Sequence, residues 1–205
     1  MSKDTVFVLK SVNYSEADKV LTVFGKYLGK FPLFAKSIRK INSKNRGNMQ
    51  TLNTCNISFY EGKGLPILTE SELVYAPDTQ ILKKRIDEIA RVLGMLNRIL
   101  QEYDPNEKVF NMLVSISKRN FDIVSVNRFR TIFLKEMGFL ADFSVCTICG
   151  SKDDLKYIDL SSFALLCKNC YSKAGKGYKL KDNVYTDESF TQALDMYIKR
   201  VIEEI

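Results

Sequence analysis

The sequence predicts an α+β protein: an N-terminal five-stranded barrel of the OB type, then an α-helical domain with an inserted four-cysteine zinc module. Three observations carry this. Short β-branched and aromatic runs broken by turn residues fill the chain up to residue 76. From there apolar residues recur at three- and four-residue spacing. Two C-x-x-C pairs interrupt the helical pattern at Cys146–Cys149 and Cys167–Cys170. The predicted boundaries are 1–76 for the barrel, 77–205 for the helical domain and 144–172 for the module.

The strands follow from the runs themselves. Val6, Phe7, Val8 and Leu9 open the chain, and Tyr14 to Asp18 form a polar turn. Lys19 to Phe24 is a β-branched run ending at Gly25, and Lys30 to Ala35 follows, with Pro32 arguing for a strand edge or bulge. The stretch S-I-R-K-I-N-S-K-N-R-G-N reads as an irregular loop. Leu52 to Tyr60 and Leu65 to Val74 complete five strands, joined by the turn E-G-K-G. A five-stranded OB barrel is the natural candidate at this size. A small SH3-like barrel has the same periodicity.

After Ala76-Pro77-Asp78, one amphipathic helix is expected from about Thr79 to Tyr103, with Leu82, Ile86, Ile89, Leu93, Leu96 and Leu100 inward. Asp104-Pro105-Asn106-Glu107 reads as N-cap, first-turn proline and capping-box acid. The helix it starts turns Val109, Phe110, Leu113 and Ile116 inward. A third helix, about Phe121 to Met137, stops at Gly138. Thr186 or Asp187 caps a last helix bearing Phe190, Leu194, Tyr197, Ile198, Val201 and Ile202.

Seventeen residues separate the two cysteine pairs, a spacing typical of zinc sites. Each pair can chelate from a tight turn, and Gly150 supplies the φ > 0 freedom such a turn needs. The chain has no histidine, so Cys146, Cys149, Cys167 and Cys170 form an all-sulfur set. Four protein ligands leave no open position, which makes the zinc structural. Disulfides or redox C-x-x-C motifs are the competing reading. No apolar run approaches the roughly 20 residues of a membrane span, and the N-terminus lacks signal-peptide features. A cytoplasmic protein is expected, in a reducing compartment that disfavours disulfides. Cys55 lies in an apolar alternation and is expected as a buried thiol.

The net charge of +7 is uneven. No acid occurs between Asp18 and Glu61, while Lys19, Lys26, Lys30, Lys36, Arg39, Lys40, Lys44 and Arg46 do. A field of one sign suits a polyanion. The candidate nucleic-acid contacts are Lys30, Lys36, Arg39, Lys40, Lys44 and Arg46, with Tyr27 beside a turn as a base-stacking surface. Phe24 and Phe34 are expected in the core. Lys118, Arg119, Arg128 and Arg130 are candidate partner contacts. Arg128 and Arg130 lie about 200° apart on a helix, so one can face a partner while the other bridges to a nearby carboxylate. Catalytic machinery is not recognisable: there is no histidine, no phosphate-cradling glycine loop, no G-x-S-x-G and no convergent acid set for two metals. A non-enzymatic binding protein with no small-molecule substrate is expected.

With this order laid out, the chain resembles the bacterial recombination-mediator family RecO over nearly its full length. The stretches that carry the resemblance are V-L-K-S-V-N-Y-S-E-A-D-K-V-L-T-V-F, the basic F-A-K-S-I-R-K, R-F-R-T-I-F-L-K-E-M-G-F-L-A-D-F-S-V-C-T-I-C-G and F-A-L-L-C-K-N-C. The resemblance implies an OB domain, a helical domain and a zinc module packed on it. It implies binding of single- and double-stranded DNA, annealing of complementary strands, and aid in loading recombinase on strands coated by single-strand-binding protein. The implied partners are RecR and the acidic C-terminal tail of the single-strand-binding protein, met at the bacterial nucleoid. Some members lack the cysteines, so the metal supports structure rather than defining the activity. The chain is short beside that family, which implies a reduced C-terminal partner surface. The rival readings are a zinc-ribbon adaptor of RNA or transcription machinery that binds mainly protein, and a nuclease.

Overall fold

In the computed structural model, residues 1–141, 144–159, 162–174, 177–180 and 184–205 are described. Leu160 and Ser161 of the predicted module lie outside them. The chain groups into two compact units, Met1–Phe121 and Asp122–Ile205.

The first unit is built on five strands, β1 (Ser2–Asn13), β2 (Lys19–Gly25), β3 (Gly29–Ala35), β4 (Thr54–Tyr60) and β5 (Ile67–Tyr75). They close in the order β1-β2-β3-β5-β4. The long β1 pairs with β4 through its first half and with β2 through its second, and a bulge between Val8 and Lys10 lets it serve both. One parallel contact, Phe34 to Ile67, joins β3 to β5 and shuts the barrel. This is the five-stranded OB-type arrangement, not an SH3-like one. Alternation sorts the side chains. Val6, Val8, Leu21, Val23, Phe31, Leu33, Cys55, Ile57 and Phe59 fill the interior, and Ile38 and Met49 of the β3–β4 connection join them. Phe24 points to the outer face yet is fully buried, its ring 6.1 Å from that of Phe110. Phe34 is half-buried, edge-on to Tyr14. The β3–β4 connection is largely irregular, as expected, with a single helical turn α1 (Asn45–Asn48).

The helix expected from Thr79 to Tyr103 is two helices, α2 (Thr79–Lys83) and α3 (Ile86–Ile99). The inward stripe of α3 is Val92, Met95, Leu96 and Ile99, while Ile86 is exposed. Of the residues expected inward, Leu96 and Leu100 are buried and Leu82, Ile89 and Leu93 are half-buried, so the break before Ile86 turns only Ile86 outward. α4 (Glu107–Lys118) is capped by Asn106, whose side chain accepts from the Val109 N–H at 3.0 Å. Asp104 is not the cap, because the chain before it is still held against β3. Glu102 bridges Lys30, and the Tyr103 N–H donates to the Lys30 carbonyl at 2.8 Å. Val109, Phe110, Leu113 and Ile116 are buried as expected.

In the second unit, α5 (Ile123–Glu136) is capped by Asp122, and Gly138 follows with φ +80°. The cysteine module consists of β6 (Leu155–Asp159), β7 (Ala164–Cys167), α6 (Lys168–Ala174) and β8 (Tyr178–Lys179), with the strands ordered β7-β6-β8. The last helix, α7 (Glu188–Glu204), is capped by Asp187, which accepts from the Ser189 N–H. Phe190, Leu194, Ile198 and Val201 form its buried stripe. Among the described residues, no helix is long and apolar enough to cross a membrane.

Candidate metal centre and nucleic-acid surface

Cys146 and Cys149 leave a turn closed by the Gly150 N–H on the Cys146 carbonyl, at 2.8 Å, with Gly150 at φ +73°. Cys167 ends β7, and Cys170 sits one turn into α6. The Thr147 N–H donates to the Leu165 carbonyl at 3.0 Å and ties the first turn to β7. All four sulfurs lie within 4.8 Å of one another, and those of Cys149 and Cys167 are 3.7 Å apart. Sulfurs placed tetrahedrally at about 2.3 Å from a common centre are about 3.8 Å apart, so the set fits one metal ion. Burial works against ionisation of Cys146, but the N–H groups of Cys167, Cys149 and Ile148 bring its thiol down to about 6. Cys170, desolvated and surrounded by the other three thiols, is pushed up to about 12. A dication among them offsets this mutual repulsion and lets all four ionise. The cluster also belongs to a small core with Tyr157 and Leu166, and Tyr171 stacks on Tyr157 at 4.1 Å. A metal ion held there would therefore hold the module together.

The cations expected to meet nucleic acid divide into several settings. Lys36, Arg39, Lys40, Lys44 and Arg46 are exposed on the β3–β4 connection. Arg39 and Arg46 line a cleft of about 320 Å³ together with Lys19, Asn13 and Gln50. Asp18 is held below the usual carboxylate range, first by the Ser37 N–H and the Ser15 hydroxyl, then by Lys36 and Lys40. Lys44 and Tyr27, far apart in sequence, line a second, larger concavity with Lys3. Tyr27 is 61 % exposed, with the Lys26 ammonium 5.1 Å from its ring centre. Its turn is fixed by Asp4, a buried carboxylate that accepts the N–H groups of Tyr27 and Leu28. Lys30 stands apart: it is half-buried, its ammonium donates to the Asn97 carbonyl at 2.9 Å, and burial lowers its pKa. Lys19 joins the cleft of Arg39 and Arg46 although no local pattern in the sequence links it to either. Tyr14, in the polar turn, is 71 % exposed, its ring packs against Phe34 at 5.6 Å, and the next residue, Ser15, supplies the carbonyl that anchors Arg39.

Of the four candidate partner cations, Lys118 and Arg119 are exposed at the end of α4 in the first unit, and Arg128 is exposed on α5 in the second. Arg130 is 1 % exposed, and its guanidinium donates to Asp195 and Asn127. It is the arginine that bridges to a carboxylate, and it offers nothing to a partner.

Comparison with known proteins agrees with this architecture. Residues 1–77 match the family described as Recombination protein O N terminal, and residues 90–186 match Recombination protein O C terminal. The DNA repair protein RecO of Thermodesulfovibrio yellowstonii is 32 % identical over 174 residues, covering 80 % of this chain and 68 % of that one. The chain belongs to the RecO family. The RecO of Syntrophomonas wolfei is 25 % identical over 183 residues, covering 87 % and 73 % of the two chains. That of Mycoplasma capricolum is 29 % identical over 173 residues, covering 80 % and 70 %.

Proposed function

We propose that this RecO-family protein is a non-enzymatic recombination mediator in DNA repair. It binds single- and double-stranded DNA, anneals complementary strands, and helps load recombinase on strands coated by single-strand-binding protein. One observation supports DNA binding above the others. Five exposed cations, from Lys36 to Arg46, stand on one connection of an OB-type barrel in a stretch with no acid. Such a surface neutralises phosphates without reading sequence. Lys19 converges with Arg39 and Arg46 on a cleft wide enough for a phosphate group, and Tyr14 and Tyr27 offer ring faces on which bases stack.

The metal at Cys146, Cys149, Cys167 and Cys170 is zinc with a structural role, since four thiolates leave no position for water or substrate. Lys118, Arg119 and Arg128 supply the charge for protein partners, among them the acidic tail of the single-strand-binding protein, whose carboxylates need fixed cations. RecR is the other expected partner, and the bacterial cytoplasm, at the nucleoid, is the place of action. The test is strand annealing on DNA coated with single-strand-binding protein, with and without that protein's acidic tail. Annealing that depends on the tail supports the mediator. Failure to anneal even bare complementary strands refutes it.

A further inference from the structure

Tyr103 is held in an unusual place. Its backbone lies in the left-handed region at φ 57°, which non-glycine residues seldom adopt. Its N–H is bound to the Lys30 carbonyl, and the next residue is seated on Gly29, where a Cβ would stand 2.4 Å from the Asp104 oxygen. These contacts hold its ring nearly parallel to Phe31, centroids 6.1 Å apart, while the residue stays 54 % exposed. Beside the ring opens a cleft of about 310 Å³. Its floor is Phe31, Phe59 and Pro66, all buried, and Gly62 and Gly64 on the β4–β5 connection put no side chain in its mouth.

The rim is acidic in a chain of net charge +7. Glu102 and Asp104 flank Tyr103, and Glu61 lines the cleft. Burial, then Glu102 and Glu61, raise the pKa of the Tyr103 hydroxyl, which places both carboxylates within electrostatic reach of the ring. Of the nearby cations, Lys30 is half-buried with its ammonium on the Asn97 carbonyl and Glu102 within reach, and Lys63 is exposed on the β4–β5 connection, so three carboxylates stand against two lysines. The cleft lies where β3 starts and β4 ends, whereas the basic connection begins where β3 ends, about 20 Å away along seven residues.

We propose that the cleft beside Tyr103 docks an aromatic side chain carried on a basic segment of a protein partner. The apolar floor takes the ring as an anchor, and the carboxylate rim selects flanking lysine or arginine. The site does not depend on the DNA reading.

The probe is a synthetic peptide, Lys-Arg-Gly-Trp-Gly-Arg-Lys, titrated into the full chain with the aromatic NMR signals of Tyr103, Phe31 and Phe59 observed. Those signals are expected to shift. Affinity is expected to fall at least tenfold when alanine replaces the tryptophan, when aspartate and glutamate replace the flanking cations, and in Tyr103→Ala. Gly64→Trp guards against misfolding in Tyr103→Ala: a Cβ at Gly64 meets nothing within 4 Å, so a bulky residue at the lining of the cleft is tolerated without disturbing the core. It is expected to abolish peptide binding and leave affinity for a single-stranded oligonucleotide unchanged. Equal binding of the acidic peptide, shifts confined to other residues, or loss of oligonucleotide binding in Gly64→Trp would each overturn the proposal.

Discussion

The guanidinium of Arg130 on α5 meets the carboxylate of Asp195 on α7, sixty-five residues further along the chain. The arginine side chain is 2 % exposed and that of the aspartate 37 %, so the two partners are not equivalent. Asp195→Ala removes the anion facing a buried cation and is expected to cost about 3 kcal/mol, the low end for breaking a buried pair. Arg130→Met leaves behind a carboxylate that water can reach, and is expected to cost less. Urea midpoints of the two variants check the order; a larger loss in Arg130→Met contradicts it.

The sulfur cluster is expected to carry one zinc per chain. Zinc binding in such modules supplies on the order of 10–16 kcal/mol of apparent free energy at neutral pH. Cys149→Ser, or a strong chelator, should therefore unfold the strands and helix around Tyr157 and Leu166 while the barrel stays folded. Elemental analysis of reduced protein, with amide exchange of the module and the barrel read separately, tests both halves.

Cys55 behaves differently from the other four cysteines. It is fully buried among barrel side chains, its sulfur donates to the Asn48 carbonyl at 3.1 Å, and burial raises its pKa to about 11. Alkylation of the native protein at pH 8 should leave it unlabelled after the chelated cluster has reacted. The folded-state value lies above the usual 9.0, so its contribution to stability is present below pH 9 and is lost as the pH rises towards 11. Wild type should lose stability over that window relative to Cys55→Ala. A constant difference between the two would show that Cys55 does not titrate as expected.

Asn106 and Asp104 offer a direct comparison. Removing a side-chain cap costs about 1 kcal/mol, so Asn106→Ala should lower stability by that amount. Asp104→Ala, whose side chain does not cap α4, should change it little. The reverse order in thermal melts would restore Asp104 as the cap.

The DNA surface has a measurable signature in salt. Each phosphate contact on a single strand adds about −0.7 to the slope of log affinity against log salt. Five exposed cations on the connection bound that slope near −3.5, and a value between about −2 and −3.5 is expected. Changing Arg39, Lys40, Lys44 and Arg46 together to alanine should flatten it by at least about 1.4, the share of two contacts. Different sequences should weaken alike, with zinc content unchanged. An unaltered slope would move the DNA site away from this connection.

Features that depend on short spacings are legible in the amino-acid order alone. Alternating apolar residues from Val6 to Leu68 specified strands with an inside and an outside, because side chains of a strand point to opposite faces in turn. Two residues between cysteines specified chelating turns, and the missing histidine left sulfur alone. The acid-free stretch was legible because charge is a property of composition. What required the tertiary structure depends on which distant segments meet. The periodicity of α5 marks Arg128 and Arg130 as lying on different faces, yet only the packing of α7 decides that Arg130 is inside. The cap of α4 moved to Asn106 because residues 102–103 are bound to β3, seventy positions earlier, a contact no local capping pattern encodes. Lys19 reaches the same cleft as Arg39 and Arg46, and Tyr103 covers Phe31, for the same reason. Closing the barrel brings together strand ends and connections that are far apart in sequence, and their proximity is set by hydrogen-bond register and burial rather than by any local repeat.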